Sequence, residues 1–250
     1  MSSQPTAAML VIGDEILSGR TREGNGWHLA KELTEAGVSL REMRVVADEK
    51  PDIIDAVQTL SGKYDYVFTS GGIGPTHDDI TADCVAEAFG DNIGVRDDAH
   101  AILVDHYGSD DINEARLRMA RIPDTATLIA NPVSRAPGFR IGNVHVMAGV
   151  PKVFEAMVAE VLPTLAGGQP LLSWALRVEA PEGEMAGPLG EVDARHPDVS
   201  FGSYPFFRGV LGSTLIGRSA DLAALTAGIN DLRETLVARG LDKIEETPPG

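Results

Sequence analysis

The chain has 250 residues, 43% of them hydrophobic, and a formal net charge of −16 at pH 7. This length allows a sizeable buried core and two domains, and the acidic balance disfavours a nucleic-acid partner or an anionic membrane, whose phosphates attract Lys and Arg. The first six residues, MSSQPT, lack a basic cluster, and no apolar run is long enough to span a bilayer, so a cytoplasmic protein without membrane attachment is expected.

The first 90 residues alternate strand-like apolar runs with helical patterns. Strands are predicted at residues 7–12, 40–46 and 64–68. A helix with an apolar stripe at i, i+3 and i+4 spacing follows each of them, and the third helix begins at Thr81. Strands that alternate with helices of this length predict a parallel sheet with helices packed on its faces.

A glycine-rich loop separates the third strand from the third helix. Its glycines, Gly71, Gly72 and Gly74, allow a bulky anionic group to approach the main chain, because they carry no Cβ. Unpaired backbone N–H groups at the start of the helix also attract an anion. The adjacent Asp78 and Asp79 would repel that anion unless a divalent cation lay between them. The loop therefore predicts a phosphate or pyrophosphate ligand together with a metal ion.

The same residues allow a purely structural interpretation. Thr76 and Asp79 have the spacing of a capping box, in which Thr76 is the N-cap and the Asp79 carboxylate returns to its backbone N–H. On that interpretation, both carboxylates only begin a helix.

Acidic residues follow each of the three predicted strands. Because the carboxyl ends of neighbouring parallel strands meet at one edge of a sheet, three acidic loops are expected to converge there, beside the glycine loop. Such a rim favours metal binding or acid–base chemistry. The residues are Asp14 and Glu15, Asp48 and Glu49, and Asp78 and Asp79.

The remainder of the chain divides at Ala166-Gly-Gly-Gln-Pro170, which gives domains at residues 1–166 and 170–250. The second domain is predicted to be a small α+β module of order βαββα with a frayed tail at 247–250. Before the boundary, the predicted elements are helices 97–107, 113–122 and 151–165 and a hairpin of strands 139–141 and 144–147. After it, they are strands 171–178, 199–204 and 210–218 and helices 184–195 and 221–239.

The motifs in residues 12–19, 45–49 and 71–81 resemble those of the molybdenum-cofactor-biosynthesis (MoaB/Mog, molybdopterin-binding) domain. The chain is most similar to the CinA branch, the N-terminal part of competence/damage-inducible protein A, because 131–139 and 149–151 resemble that branch's further hallmarks. The resemblance covers residues 7 to about 165 well and continues less sharply into the second domain.

This resemblance implies a fold and a ligand class. The fold is a three-layer α/β/α domain with a mostly parallel sheet, followed by a small α+β domain. The ligand is a small-molecule nucleotide or pterin, and the assembly is a homo-oligomer, either a dimer or a trimer. Nicotinamide mononucleotide deamidation, which a further domain performs in many CinA-type proteins, is not expected here.

The resemblance also implies site residues. Asp48 and Asp79 match aspartates that are important for adenylyl transfer in the relatives and are the expected catalytic residues. The expected ligands of a divalent ion (Mg, Mn or Co) are Asp14, Asp48, Asp78 and Asp79. The expected ligand- and phosphate-binding residues are Gly71, Gly72, Gly74, Pro75, Thr76, Ser134, Pro137 and Gly138.

Two departures from the family pattern concern the ligand. Ser134 and Arg135 stand where the family has Gly and Thr, and Glu23 replaces the first residue of an Asn-x-Asn pair of which Asn25 remains. Arg135 is either a fork for phosphate oxygens or an ordinary solvated arginine.

Other polar groups have two interpretations. The cluster of Arg116, Arg118 and Arg121 is either a solvated helix face or a second contact for the phosphates. The single cysteine, Cys84, is expected to be a buried small hydrophobe rather than a nucleophile, and His77 lies within reach of a ligand in the loop.

Three functions follow from these observations. The first is metal-dependent hydrolysis of a nucleotide pyrophosphate such as ADP-ribose, which the CinA branch implies. The second is molybdopterin binding and adenylylation. The third is a binding module that holds a nucleotide or pterin without any chemistry of its own.

Overall fold

The computed structural model describes residues 4–249, which form two compact units divided between Gly168 and Gln169. Within residues 4–249, no helix is both long and apolar enough to cross a membrane. The strands of the first unit are β1 (Thr6–Ile12), β2 (Ser39–Val46), β3 (Tyr66–Ser70), β4 (Ile93–Val95), β5 (Arg121–Pro123), β6 (Thr127–Ile129), β7 (Gly138–Ile141) and β8 (Val144–Met147). Its helices are α1 (Asp14–Leu17), α2 (Asn25–Glu35), α3 (Lys50–Lys63), α4 (Thr81–Phe89), α5 (Asp97–Tyr107), α6 (Glu114–Arg118) and α7 (Pro151–Val161).

The central sheet of the first unit has six strands in the order β2-β1-β3-β8-β7-β6. The first four strands are parallel, and β7 and β6 are antiparallel to their neighbours. The predicted mostly parallel sheet is therefore confirmed. The three strands that carry acidic loops lie side by side, so their carboxyl ends share one edge.

Helices cover both faces of this sheet, as the three-layer prediction requires. Alternate residues of β1 point to opposite faces, so Leu10 packs against α3, α4 and α5, whereas Met9 packs against α2 and α7. Both side chains are fully buried. Burial on both faces of the sheet thus explains why β1 is hydrophobic from Ala7 to Ile12, which is typical of strands in parallel sheets.

Two expectations for the first unit need correction. The helix predicted over 113–122 ends at Arg118, because the backbone of Arg121–Pro123 pairs with Ile93–Val95 in a small antiparallel ribbon. The third strand lies two residues later than the predicted 64–68, so Thr69 and Ser70 belong to the strand and are buried. The hairpin around Gly142 is confirmed, and this glycine has the left-handed φ of 55° that such a turn needs.

The second unit packs two helices on a four-stranded antiparallel sheet of order β10-β11-β9-β12. Leu225, Ile229, Leu232 and Leu236 recur along its last helix and are fully buried against this sheet. The elements are β9 (Leu172–Val178), α8 (Glu182–Arg195), β10 (Ser200–Phe207), β11 (Leu211–Ser219), α9 (Leu222–Ala238) and β12 (Ile244–Thr247).

Two sequence expectations for the second unit are wrong. The frayed tail was expected to include Thr247, but that residue ends β12, which pairs with β9 and extends the predicted order to βαββαβ. The strand predicted over 199–204 continues to Phe207 through Pro205, which is tolerated because β10 is an edge strand. Gly250, the last residue of the predicted tail, lies outside the described residues.

Candidate functional site

The glycine loop after β3 is tightly packed against its neighbours. Gly71 has a φ of 111°, and a Cβ at this position would lie 2.2 Å from the carbonyl oxygen of Ile12 at the end of β1. Gly72 has a φ of 69°, and its Cβ would lie 2.1 Å from Oγ1 of Thr81 in α4. Only glycine fits both positions, since an L-residue is strained at these φ values and has no room for its Cβ.

The second half of the loop is closed by Asp79. Its Oδ2 accepts hydrogen bonds from the backbone N–H of Thr76 at 2.8 Å and from Thr76 Oγ1 at 2.5 Å. The contact of the capping-box interpretation therefore exists, but α4 begins only at Thr81, after Ile80, so the contact closes the loop and does not cap the helix. Among residues 4–249, no hydrogen bond engages Oδ1 of Asp79, which leaves that oxygen for a ligand.

The acidic loops converge beside the glycine loop, as expected. The backbone N–H of Asp14 donates to Oδ2 of Asp48 at 2.9 Å, which joins the loops after β1 and β2. Burial raises the pKa of the half-buried Asp48 above its usual value, and the negative charges of Asp14, Glu15 and Asp78 raise the pKa further. The rim is thus a site of concentrated negative charge.

These loops surround a cleft of about 690 Å³. This volume suits a small ligand such as a nucleotide or a pterin. Residues from all three acidic loops line the cleft together with the glycine loop and the turns before β7 and α7. The lining includes Glu15, Thr21, Asp48, Gly71, Gly72, Gly74, Pro75, Asp78, Asp79, Met119, Asn131, Ser134, Val150 and Pro151.

The expected site residues fall into two groups. Asp48, Asp78, Asp79, Gly71, Gly72, Gly74, Pro75 and Ser134 line the cleft, whereas Asp14, Thr76, Pro137 and Gly138 are not part of its lining. Gly138 lies inside β7, where a Cβ would stand 2.3 Å from both the Val146 carbonyl oxygen and Cε of Met157. This glycine is needed for packing between β7, β8 and α7. The function of each residue toward a ligand stays a prediction.

Two buried asparagines hold the walls of the cleft, and neither was among the expected site residues. Nδ2 of Asn25 donates to Oγ of Ser70 and to the carbonyl oxygen of Gly149, both at 2.8 Å, so it joins α2 to the ends of β3 and β8. Nδ2 of Asn131 donates to Oγ of Ser134 at 2.6 Å and to the Ala136 carbonyl at 2.7 Å. Both residues belong to the motifs that carry the family resemblance, which was the available signal.

The arginines near the site have separate positions. Arg135 has a φ of 64° and lies 3.6 Å from Asp105, outside the lining of the cleft. Arg118 donates to the carbonyl oxygen of Asp79 at 3.4 Å, so it supports the loop from behind. Arg121 forms an ion pair with Asp83 in α4. Of the predicted basic cluster, Arg118 is therefore the member that touches the loop.

Two reactive side chains of the motif differ in accessibility. Cys84 is buried on α4, as expected, and burial raises the pKa of its thiol to about 11. The side chain of His77 is 98% exposed at the tip of the loop. Cys84 is thus a small core residue, whereas the His77 side chain is surrounded by solvent.

The donor set of the rim suits a hard cation only in combination with a ligand. Within residues 4–249, no three His, Cys, Asp or Glu side chains are close enough together to hold a metal ion by themselves. Mg²⁺, however, is often held by one or two carboxylates together with substrate phosphates and water. Asp48, Asp78 and Asp79 offer such oxygens in one cleft, so the residues fit a cation that is shared with a phosphorylated ligand.

Comparison with known proteins identifies the family. A family model described as a probable molybdopterin binding domain matches residues 8–167, which include the cleft and all of the six-stranded sheet except the first two residues of β1. The chain belongs to this family. A second model, the middle domain of FAD synthase, matches residues 170–245 of the second unit.

Relatives of this molybdopterin-binding-domain protein include both CinA-like proteins and FAD synthases. A probable FAD synthase of Caenorhabditis elegans is 32% identical over 94% of this chain and 51% of its own length. A CinA-like protein of Myxococcus xanthus is 33% identical over 78% of this chain and 50% of its own length. The chain therefore spans about half the length of these curated relatives.

A solved structure supports the same assignment. The crystal structure of the protein CinA from Thermoplasma acidophilum is 35% identical, with a TM-score of 0.61, and covers 65% of this chain and 99% of that chain. The resemblance to the CinA branch is thereby confirmed for the first unit.

Proposed function

We propose that this protein binds a nucleotide pyrophosphate in the cleft and hydrolyses its P–O–P bond. The observation that carries the proposal is that Asp48, Asp78 and Asp79, from two separate βα loops, line the same cleft as Gly71, Gly72 and Gly74. A phosphate suits the glycine loop, and carboxylates facing a phosphate require a cation between them. A site that only bound a phosphate would be better served by Lys or Arg.

The chain's own residues have distinct tasks in this reaction. The backbone of the loop from Gly71 to Gly74 holds the phosphates, and Thr76 holds the Asp79 carboxylate in place. Asp48 and Asp79 would supply carboxylate oxygens to a divalent cation such as Mg²⁺, Mn²⁺ or Co²⁺. That cation would neutralise phosphate charge and lower the pKa of a water molecule. Water adds across the P–O–P bond, and the products are two phosphate monoesters.

The relatives narrow the substrate class. A protein named probable FAD synthase forms, by that name, FAD, which like ADP-ribose contains an adenosine diphosphate ester. The family model names molybdopterin, which is itself a phosphorylated pterin. ADP-ribose is therefore the first substrate to test and FAD is the second.

The test is turnover of ADP-ribose with Mg²⁺, Mn²⁺ or Co²⁺ by the wild type and by Asp79→Asn. We expect the wild type to release AMP and ribose 5-phosphate and the variant to lose at least a hundredfold in kcat/KM, since loss of one electrostatic contact to a developing charge typically costs about 10²–10³. Asp193→Asn in α8, an exposed aspartate of the second unit, is the matched control and should keep full activity.

Two other outcomes separate the alternatives. Binding of ADP-ribose in calorimetry without turnover would favour a non-catalytic binding module. This is a second candidate function because, within residues 4–249, no three His, Cys, Asp or Glu side chains are close enough together to hold a metal ion. Binding of molybdopterin, with adenylylation by ATP and no action on ADP-ribose or FAD, would favour the cofactor-biosynthesis function instead.

A further inference from the structure

The first unit has an open sheet edge at β2. Within the described residues, 4–249, β2 pairs with β1 on one side and with no strand on the other. The carbonyl oxygen of Val46 accepts from Gly13 N–H, so the backbone of Val46 points to the β1 side. Because backbone direction alternates along a strand, Glu42 and Arg44 also point inward, and the N–H and C=O groups of Met43 and Val45 point to the open side.

Apolar side chains stand beside this open edge. Met43 is 56% exposed and Val45 is 38% exposed, although both lie on the face of the sheet that α2 covers. The Met43 thioether lies against Gly26 of α2, and the next residue, Trp27, is 75% exposed. An exposed apolar patch along an unpaired strand is typical of a surface that pairs with another chain.

The charges on the other face of β2 identify the partner. In an antiparallel pair related by a two-fold axis perpendicular to the sheet, the axis lies midway between one residue of the strand and the same residue of the second copy. An axis at Met43 places Glu42 opposite Arg44 of the second copy, twice, and Met43 opposite Met43. An axis at Glu42 would oppose two glutamates, and an axis at Arg44 would oppose two arginines. Opposite charges stabilise such cross-strand pairs and like charges destabilise them. Within β2, an axis at Met43 is therefore the register that sets both Glu42 and Arg44 opposite a residue of opposite charge.

We propose that β2 is an interface for a second copy of this chain, with Met43 at the two-fold axis and the two sheets joined into one of twelve strands. In one copy, Arg44 already reaches Glu42 of its own strand at 2.8 Å, and Glu42 also accepts from Lys63 at 3.0 Å and from Tyr64 Oη at 2.8 Å. Arg44 needs only to turn from its own glutamate to the partner's. Since β2 ends two residues before Asp48, pairing also steadies the loop that carries this carboxylate. The interface does not depend on the proposed function.

Sedimentation of the full chain with single and paired charge reversals tests the interface. We expect the wild type to be a dimer, and Glu42→Arg or Arg44→Glu alone to weaken dimerisation at least roughly tenfold, because the two-fold axis makes each change count twice. The double variant Glu42→Arg/Arg44→Glu restores the opposite-charge pairs and should recover most of the affinity. Arg140→Glu on β7, an exposed arginine of the same sheet, should have no effect.

Other results would overturn the proposal. These are a monomeric wild type, a dimer that both single reversals leave intact, or a folded double variant that stays monomeric. If thermal unfolding shows that a Glu42 variant no longer folds, Met43→Lys replaces it, since this side chain is largely exposed in one copy and two lysines would meet at the axis. A folded Met43→Lys protein that remains dimeric would also exclude this interface.

Discussion

Gly71→Ala is expected to destabilise the first unit by about 3 kcal/mol or more and to abolish ligand binding in the cleft. The added Cβ would meet the backbone carbonyl oxygen of Ile12 at 2.2 Å, at a φ of 111° that alanine rarely adopts. Neither strain can be relieved by a side-chain rotation, because the obstructing atom belongs to the main chain of β1, the second strand of the six-stranded sheet. Urea unfolding at pH 7 measures the loss directly.

Gly24→Ala provides a matched control for this substitution. Gly24 belongs to the same unit and directly precedes α2, but its φ is −135° and an added Cβ would meet no atom within 4 Å beyond its chain neighbours. The free energy of unfolding of Gly24→Ala should equal that of the wild type or exceed it slightly, since alanine restricts the conformations of the unfolded chain. Equal losses for the two variants would show that the close approach of Gly71 to Ile12 does not constrain the fold.

His145→Leu is expected to remove much of the acid sensitivity of the first unit. His145 lies in β8, only 2% exposed, stacked on Phe68 with a ring-centroid distance of 5.0 Å, and neither ring nitrogen has a hydrogen-bond partner within residues 4–249. Burial lowers its pKa from 6.5 to about 4. The folded protein therefore holds a neutral imidazole where the unfolded chain would bind a proton.

The direction of the pH effect follows from this difference. Between pH 6.5 and 4 the unfolded state binds more protons, so stability is complete above pH 6.5 and falls as the pH drops toward 4. A shift of this size corresponds to about 3 kcal/mol at the acidic limit. Urea unfolding at pH 4.5 and pH 7.5 should show a smaller difference for His145→Leu than for the wild type.

A second histidine variant separates burial from residue type. His106→Gln in α5 changes an exposed histidine and should keep the wild-type dependence on pH. If His145→Leu lost as much stability on acidification as the wild type, the buried imidazole would not be the group responsible. At neutral pH, His145→Leu should be at least as stable as the wild type, because leucine leaves no unpaired nitrogen in the core.

The parts of the fold that sequence predicted correctly are those that local periodicity determines. The buried stripes of α3 and α9 and the apolar run of β1 each carry their own pattern. β12 could not be found in this way, because Ile244 is its only large apolar residue and its pairing with β9 bridges some 70 positions of the chain. Arg121 and Ile122 were mistaken for helix for a similar reason, since the strand with which they pair, Ile93–Val95, is remote in the sequence.

In the candidate site too, local sequence patterns did not reveal contacts between remote residues. The alternation of strands and helices along the sequence predicted that the acidic loops meet at one edge of the sheet. It could not predict whether Asp14 or Glu15 lines the cleft, and in the structure it is Glu15. Gly138 and Gly71 look alike in a motif, yet one fits against Met157 in a strand and the other against Ile12 at the rim. Such differences depend on contacts between distant segments, which no local pattern records.

The burial of Cys84 has a consequence for observing motions behind the cleft. This thiol lies on α4 immediately after the glycine loop and, with its pKa near 11, is almost entirely protonated at neutral pH. A thiol reagent can therefore react only when α4 opens to solvent. Because the chain has one cysteine, the rate of thiol modification reports how often α4 opens. A ligand that stabilises the glycine loop should lower this rate.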